Sequence, residues 1–276
     1  MNKRKKRWRR RLVFLLLLAA AAYLVYDSAY NIEVTQYTVR SEKIPAAFDG
    51  FRMVQISDFH GADFGTELAD RVRAENPDLI AVTGDILTSS EELPQVEALL
   101  SALQGIAPVY FVSGNHDFGA KAIDSLCSLF EEYGVKYMRN EFLPIERQGG
   151  RIILAGVDDP NSWTDIPSPE AVADSLRLEY PEAYAVLLGH RNYWATSYPE
   201  LPVDLILCGH AHGGLVRLPG VGGLLSTDRT FFPDYDGGLY DCGGYDLIVS
   251  RGLGNSVPIP RLFNRPELVC ITLGTE

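Results

Sequence analysis

Residues 109–117, VYFVSGNHD, carry in nine positions the pattern on which this chain is built. Apolar and aromatic residues rich in β-formers make a short strand, Gly114 lets the backbone turn, and Asn115, His116 and Asp117 follow as groups able to bind metal or move protons. The pattern recurs on both sides. RMVQIS runs into Asp58-Phe59-His60, LIAVT into Gly84-Asp85, AVLL into Gly189-His190, and LILC into Gly209-His210-Ala211-His212. Five apolar runs thus end in ligand-type residues, four of them through a glycine.

Further outward, β-rich runs alternate with amphipathic stretches, which signals a layered α/β domain. Strands are expected at 52–57, 79–83, 109–112, 152–156, 185–188, 205–208, 247–250 and 268–273. Helices are expected at 66–75, 93–103, 120–132 and 169–178. In open α/β sheets ligands bind beyond the carboxyl ends of strands, so the five loops are expected to meet at one edge. The stretches 156–169 and 213–244, rich in Gly, Pro, Asp and aromatics, read as long loops, either surface connections or a substrate rim.

The 276 residues, 46% hydrophobic, suffice for one sizeable catalytic domain, placed at 51–276 behind a linker and first strand at 31–50. Residues 1–30 are different. Lys3, Arg4, Lys5, Lys6, Arg7, Arg9, Arg10 and Arg11 precede the charge-free run 12–26, LVFLLLLAAAAYLVY. At ~1.5 Å per residue that run reaches ~22 Å, short of a ~30 Å hydrocarbon core, which suits a signal segment or a short single-pass anchor helped by Tyr23, Tyr26 and Tyr30. Basic residues stay inside, so the rest of the chain is expected outside the cytoplasm at the cell membrane, or released after cleavage near 20–22 or 28–29. The segment 9–13, RRRLV, also resembles a twin-arginine export signal.

Of 25 basic residues these eight leave 17, against 36 acidic ones, a net of −19 for the remainder. A body so acidic repels a phosphate backbone, so no nucleic-acid polymer is expected as partner, and an anionic substrate needs metal ions or a local arginine. No obligate protein partner is inferred. Cys127, Cys208, Cys242 and Cys270 lack metal-type spacing and read as packed thiols.

All five histidines, His60, His116, His190, His210 and His212, fall in the strand-end loops. Asp58 and His60 are two apart, as are His210 and His212; each pair either shares one metal or is split between neighbours. Imidazoles, carboxylates and one amide, without a thiolate, suit Mn²⁺, Fe, Zn²⁺ or Mg²⁺. Two such ions need a shared carboxylate, and Asp85, central in the series, is the candidate.

The series DFH, GD, GNHD, GH, GHAH is similar to the motif set of calcineurin-like metallophosphoesterases, over roughly residue 52 to the end. The N-terminal segment and the closing stretch 250–267 resemble the bacterial membrane-associated, phosphodiesterase-like branch. The resemblance implies a four-layer α/β/β/α sandwich with a two-sheet core. It further implies two divalent ions (Mn²⁺, Zn²⁺ or Fe), one on Asp58, His60 and His212, the other on Asn115, His190 and His210, with Asp85 between them and His116 beside the leaving group. Two departures stand out. The acid often found shortly after GD is replaced by Ile86-Leu87-Thr88, and His190 is followed by Arg191-Asn192-Tyr193-Trp194 instead of a proline-containing turn.

The expected activity is metal-dependent hydrolysis of a phosphodiester, by a hydroxide bridging the ions, on an envelope lipid or cell-wall substrate. His116 would protonate the leaving alkoxide. Asp117 either orients His116 or caps the following helix, and Arg251 either contacts substrate or forms a structural ion pair. Asp158 and Asp159 read as a loop turn, and Phe231, Phe232, Tyr235 and Trp163 as a lipid-facing or base-stacking rim or as loop packing. The alternatives are a nucleotide or cyclic-nucleotide phosphodiesterase, a phosphomonoesterase, or a metal-binding scaffold without turnover.

Overall fold

A computed structural model describes residues 3–162, 166–218, 220–226, 230–257 and 260–276. In chain order the elements begin with α1 (Lys3–Tyr30), β1 (Glu33–Arg40), β2 (Arg52–Ile56), α2 (Glu67–Ala74), β3 (Leu79–Thr83), α3 (Leu93–Leu103) and β4 (Val109–Val112). There follow α4 (Asn115–Gly119), α5 (Ile123–Tyr133), β5 (Lys136–Tyr137), β6 (Glu141–Arg147), β7 (Gly150–Gly156), α6 (Pro169–Glu179), β8 (Ala185–Leu188) and α7 (Trp194–Ser197). The chain closes with β9 (Leu205–Cys208), β10 (Val216–Leu218), β11 (Gly222–Leu225), β12 (Gly238–Asp241), β13 (Asp246–Val249) and β14 (Glu267–Gly274).

Two six-stranded sheets form the centre, in the orders β1-β14-β2-β3-β4-β5 and β12-β13-β9-β8-β7-β6. Alternation along each strand sends side chains to both faces, and three apolar clusters fill the spaces this creates. Met53, Leu79, Ala81, Val112 and Ile271 of the first sheet meet Leu154, Val186, Leu188, Leu207 and Ile248 of the second. Val54, Ile80, Val82 and Phe111 face α2, α3 and α5 through Val72, Leu100 and Phe130. Ile153, Leu187, Ile206 and Val249 face α6 and α7 through Leu176 and Trp194. Apolar packing thus joins the two sheets to each other and helices to each sheet. Strands buried on both faces need continuous apolar runs, and LIAVT, AVLL and LILC supply them.

Strands β2, β3 and β4 run parallel, as do β7, β8, β9 and β13. Their carboxyl ends bring the motif loops together. Helix ends follow local chemistry: Ser168 accepts the Ala171 N–H at 3.2 Å ahead of Pro169, and α5 stops at Gly134 with φ +69°.

The segment 31–50 contributes β1, which pairs in parallel with β14 at the edge of the first sheet, and Phe48 sits in the core between the sheets. Other expectations change. β6 was hidden in the sequence by Pro144 and interleaved glutamates; it is tolerated because β6 is an edge strand with a proline lacking one donor. The helix expected at 120–132 is α5, starting at Ile123, and a separate short helix that was not expected, α4, precedes it on the GNHD motif, with Lys121 at φ +54° between them. The stretch 213–244 contains β10, β11 and β12 rather than a continuous loop.

α1 spans 28 residues, about 42 Å at ~1.5 Å per residue, because the helix extends beyond the apolar run at both ends. It is long and apolar enough to cross a membrane, and its apolar side chains are uncovered, with Phe14 and Leu17 each 65% exposed. Its carboxyl end meets the domain. Ser28 and Ile32 are buried, and Asp27 accepts both Nε and Nη2 of Arg265 at 2.7 and 2.8 Å.

Candidate metal centre

Each ligand-type residue sits where its strand has just ended and the backbone reverses. Asp58, His60, Asp85, His210 and His212 all adopt positive φ, between 47° and 70°, a conformation that Asp and His tolerate better than most residues but that costs free energy. Strain of this kind persists where the surroundings fix it, and here close packing does so. A Cβ on Gly114 would lie 2.2 Å from Asp85 Oδ1, and one on Gly209 would lie 2.2 Å from Asp58 Oδ2. These glycines let neighbouring loops approach far enough to share a site.

Two donor triads result: Asp58, His60 and His212, and Asp85, His190 and His210, each with donor atoms within 4.8 Å of one another. The sequence left open how the paired residues divide. Asp58 and His60 fall together, whereas His210 and His212 part company. In the first triad His60 Nε2 is 3.3 Å from His212 Nε2, and His212 Nε2 is 3.3 Å from Asp58 Oδ1. Donors at ~2.0–2.2 Å from one tetrahedral ion stand about 3.3 Å apart, so the cluster already has the spacing of a ligand set. Asp85 Oδ2 lies 3.1 Å from His190 Nε2 and 3.8 Å from His60 Nε2, one carboxylate oxygen placed between the triads. Asn115 opens α4 beside Gly114, and its Oδ1 is buried without a hydrogen-bond partner, an orphaned acceptor that suits a cation.

The electrostatics point the same way. Asp58, Asp85 and Asp117 are all essentially inaccessible, and such carboxylates are costly to bury as anions without compensating cations. Burial, reinforced by the Asp85 charge, raises Asp58 and pushes Asp117 up to about 8. Asp85 keeps its charge: burial opposes ionisation, but the facing His190 holds its carboxyl well below the usual range. His190 is the complement, disfavoured as a cation by burial yet raised to about 10 by Asp85. Burial lowers His60 and His212 to about 3 and His210 to about 2, aided by His212 at His60, by Arg261 at His212, and by His190 and Arg191 at His210. Those three rings are neutral at physiological pH, the form that binds metal.

Neighbours orient the rings. His190 Nδ1 donates to the Thr83 carbonyl at 2.9 Å, which turns Nε2 toward Asp85. His60 Nδ1 pairs with Thr88 Oγ1 at 2.8 Å, which fixes that imidazole. The His116 ring stands edge-on to His60 with centroids 5.1 Å apart, half-exposed, and its main-chain N–H donates to Asp85 Oδ1 at 2.8 Å. It faces the site without belonging to either triad.

The contacts of three groups bear on alternatives that the sequence left open. Asp117 makes no hydrogen bond to the His116 ring. Its carboxylate accepts the N–H groups of Asp85 and Gly114 on Oδ2 and of Ile86 and Leu87 on Oδ1, so it locks the GD loop to the GNHD loop. Arg251 is held by Glu267 at 2.8 Å and Glu33 at 2.9 Å, a structural ion pair. Asp159 does open a turn, its carbonyl accepting the Ser162 N–H at 2.8 Å and its Oδ1 the Asn161 N–H at 2.9 Å, but the two carboxylates themselves point inward. Asp158 is buried under Ser113, Tyr137 and Asn140, and Asp159 grips Arg191. The sequence also offered no role for Arg261 and Asn264. Both are buried; Arg261 donates to the carbonyls of Gly252 and Gly254, and Asn264 to those of His212 and Gly214, so the closing segment clamps the GHAH loop. Of the aromatic rim, Phe231 and Phe232 are well exposed, Tyr235 packs against Tyr240, and Trp163 lies outside the described residues. The four cysteines are unpaired, Cys208 and Cys270 buried and the others half-buried.

Two buried triads joined by one carboxylate, at the strand ends of a two-sheet sandwich, define a metallophosphoesterase. The family model for calcineurin-like phosphoesterases matches residues 51–214, more than half of the chain, which belongs to that family. The chain is similar to the uncharacterized metallophosphoesterase YkuE of Bacillus subtilis, 31% identical over 261 residues, 91% of this chain and 88% of the relative. It is similar to phosphodiesterase YaeI of Escherichia coli, 27% identical over 236 residues, 81% and 82% of the two chains. A transmembrane protein with metallophosphoesterase domain from Danio rerio is 28% identical over 280 residues, 92% of this chain and 60% of the relative.

Proposed function

We propose that this enzyme is a membrane-anchored, two-metal phosphodiesterase whose substrate lies in or on the cell envelope. The observation that carries the reading is Asp85 Oδ2, placed between His190 at 3.1 Å and His60 at 3.8 Å so that one carboxylate serves both triads. Asp58, His60 and His212 would hold one divalent ion, and His190, His210 and Asn115 the other. The borderline character of imidazole with carboxylate favours Mn²⁺, Zn²⁺ or Fe. Ions bound there would polarise phosphoryl oxygens and make bound water acidic.

The chain's own residues do the rest. His116, half-exposed at the rim and outside both triads, donates a proton to the leaving alkoxide. Asp117, Thr88, Arg261 and Asn264 keep four of the five ligand loops in register, which matters because misplacement by ~1 Å costs a positioned reaction about 100-fold. A diester is favoured by the likeness to a named phosphodiesterase. The acidic body argues against a nucleic-acid polymer. An anchor retained in the membrane, with the domain outside, is supported by the basic block that opens α1 and by the burial of Ser28, which hides a cleavage site expected at 28–29.

The test is hydrolysis of bis(p-nitrophenyl) phosphate and p-nitrophenyl phosphate with added Mn²⁺, comparing the intact protein with His116→Ala and Asp85→Asn. The diester is expected to be the faster substrate, and both variants are expected to lose at least 100-fold in rate. A metal-dependent rate that survives both substitutions would show that these roles are wrong. Protease accessibility on intact cells tests the topology, and a protected domain would overturn the outward placement.

A further inference from the structure

Arg191 follows His190 and stands at the second triad. It makes a bidentate pair with the buried Asp159, Nε to Oδ2 at 2.5 Å and Nη2 to Oδ1 at 3.0 Å, and its Nη1 lies 3.0 Å from His210 Nε2. A guanidinium only donates, so His210 Nε2 must be the acceptor. A neutral imidazole has a single nitrogen lone pair, and Arg191 holds it. If a metal takes Nε2, it displaces Nη1 directly. If it takes Nδ1, the ring proton moves to Nε2 and faces a second donor. Either way, ligation by His210 and this hydrogen bond exclude each other.

Resting on the assignment of His210 to a metal half-site, we propose that Arg191 is a resident cation there, one that holds His210 in the metal-free protein and is released by metal loading to bind a phosphoryl oxygen of the substrate. The Asp159 grip uses Nε and one Nη2 proton, which leaves both Nη1 protons and the second Nη2 proton to donate elsewhere, and a small shift of the whole planar group on its Asp159 hinge carries Nη1 from His210 to a ligand. Its planar array of donors suits an anionic phosphoryl group. In the metal-free protein its charge offsets part of that of the buried carboxylates; in the loaded protein it becomes an anchor in an otherwise acidic body.

The experiment uses the full-length protein in detergent, stripped with chelator and labelled with ¹⁵N-histidine. Zn²⁺ is titrated by calorimetry while the His210 nitrogens are followed by NMR. In the metal-free wild type, Nε2 is expected to read as a hydrogen-bonded acceptor and Nδ1 as protonated, a pattern lost with the second equivalent of Zn²⁺. Arg191→Met is expected to bind the second equivalent about tenfold more tightly, the first within twofold of wild type, and inorganic phosphate about tenfold more weakly once loaded. Because Arg191→Met leaves a buried carboxylate alone, Arg191→Met with Asp159→Asn repeats the comparison, with circular dichroism confirming the fold. Second-site affinities equal in wild type and folded variants, or a His210 acceptor pattern unchanged at two equivalents, overturn the proposal while leaving the two-metal reading intact. A protein that takes up no second equivalent in any form overturns both.

Discussion

Replacing Thr88 by valine removes one oxygen from the metal centre's surroundings and almost nothing else. The side chains are nearly isosteric, so no sizeable cavity opens, and the loss is confined to the 2.8 Å contact between Thr88 Oγ1 and His60 Nδ1. His60 is neutral, held near 3 by burial and by His212, so its Nδ1 proton has no charge to help it find another partner. Leaving a buried donor unpaired costs about 1–3 kcal/mol. Loss of the partner that orients a ligating imidazole typically weakens metal affinity 10–100-fold. Thr88→Val is therefore expected to weaken Mn²⁺ binding at the half-site of Asp58, His60 and His212 by at least tenfold, and to lower the melting temperature of the chelated protein by a few degrees. Calorimetric titration of the full-length protein in detergent measures the first, and a thermal melt the second. An affinity within twofold of wild type, in a variant that folds, would mean that Thr88 does not set the His60 ring, and the account of how that ligand is oriented would fail.

Gly209→Ala places a methyl group 2.0 Å from Ser57 Oγ and 2.2 Å from Asp58 Oδ2, so a loss of about 1–3 kcal/mol in stability and roughly 100-fold in turnover is expected from melts and diester hydrolysis; wild-type values would show that the loops have slack. Saturating Mn²⁺ at ~100 times its dissociation constant should add about 2.7 kcal/mol, near 5–10 °C in melting temperature for a chain of this size, and a melt unmoved by Mn²⁺ contradicts a folded-state metal site. Burial alone would raise Glu267, but Arg251 at 2.8 Å outweighs it and depresses the folded value. Its stabilisation is therefore complete above the ordinary glutamate value, about 4.3, and drains away as pH falls through the depressed one. In chelated protein Glu267→Gln should lower stability at pH 7 and flatten this part of the acid limb, and an unchanged acid limb would mean the pair contributes nothing.

Much of the site was legible because ligand chemistry and strand termini coincide in sequence. All five histidines, Asp58 and Asp85 announce themselves by following an apolar run, and parallel strands buried on both faces leave such runs conspicuous. Asp117 was ambiguous because an acid three residues past a glycine suits a helix start or a catalytic partner equally well; the four main-chain donors that claim it come from two loops 30 residues apart. Arg251 and Arg191 illustrate the same limit, since every arginine carries the same charge and only its surroundings decide whether that charge faces a glutamate in the core or a ligand in the cleft. β6 escaped notice because an edge strand may carry Pro144, and edge status is a property of the sheet, not of the segment.

What the sequence by itself determined was the alternation of buried strands with amphipathic helices, the chemical class of the donors and the basic, apolar head, because burial periodicity and charge are local and survive in one dimension. Which imidazole joins which carboxylate was decided only in three dimensions. His210 and His212 are two residues apart yet serve different triads, while Asp58 and His212 share one across 154 positions, because main-chain reversals at positive φ and the glycine-permitted approach of loops set direction. Directions of that kind are fixed by packing between distant segments.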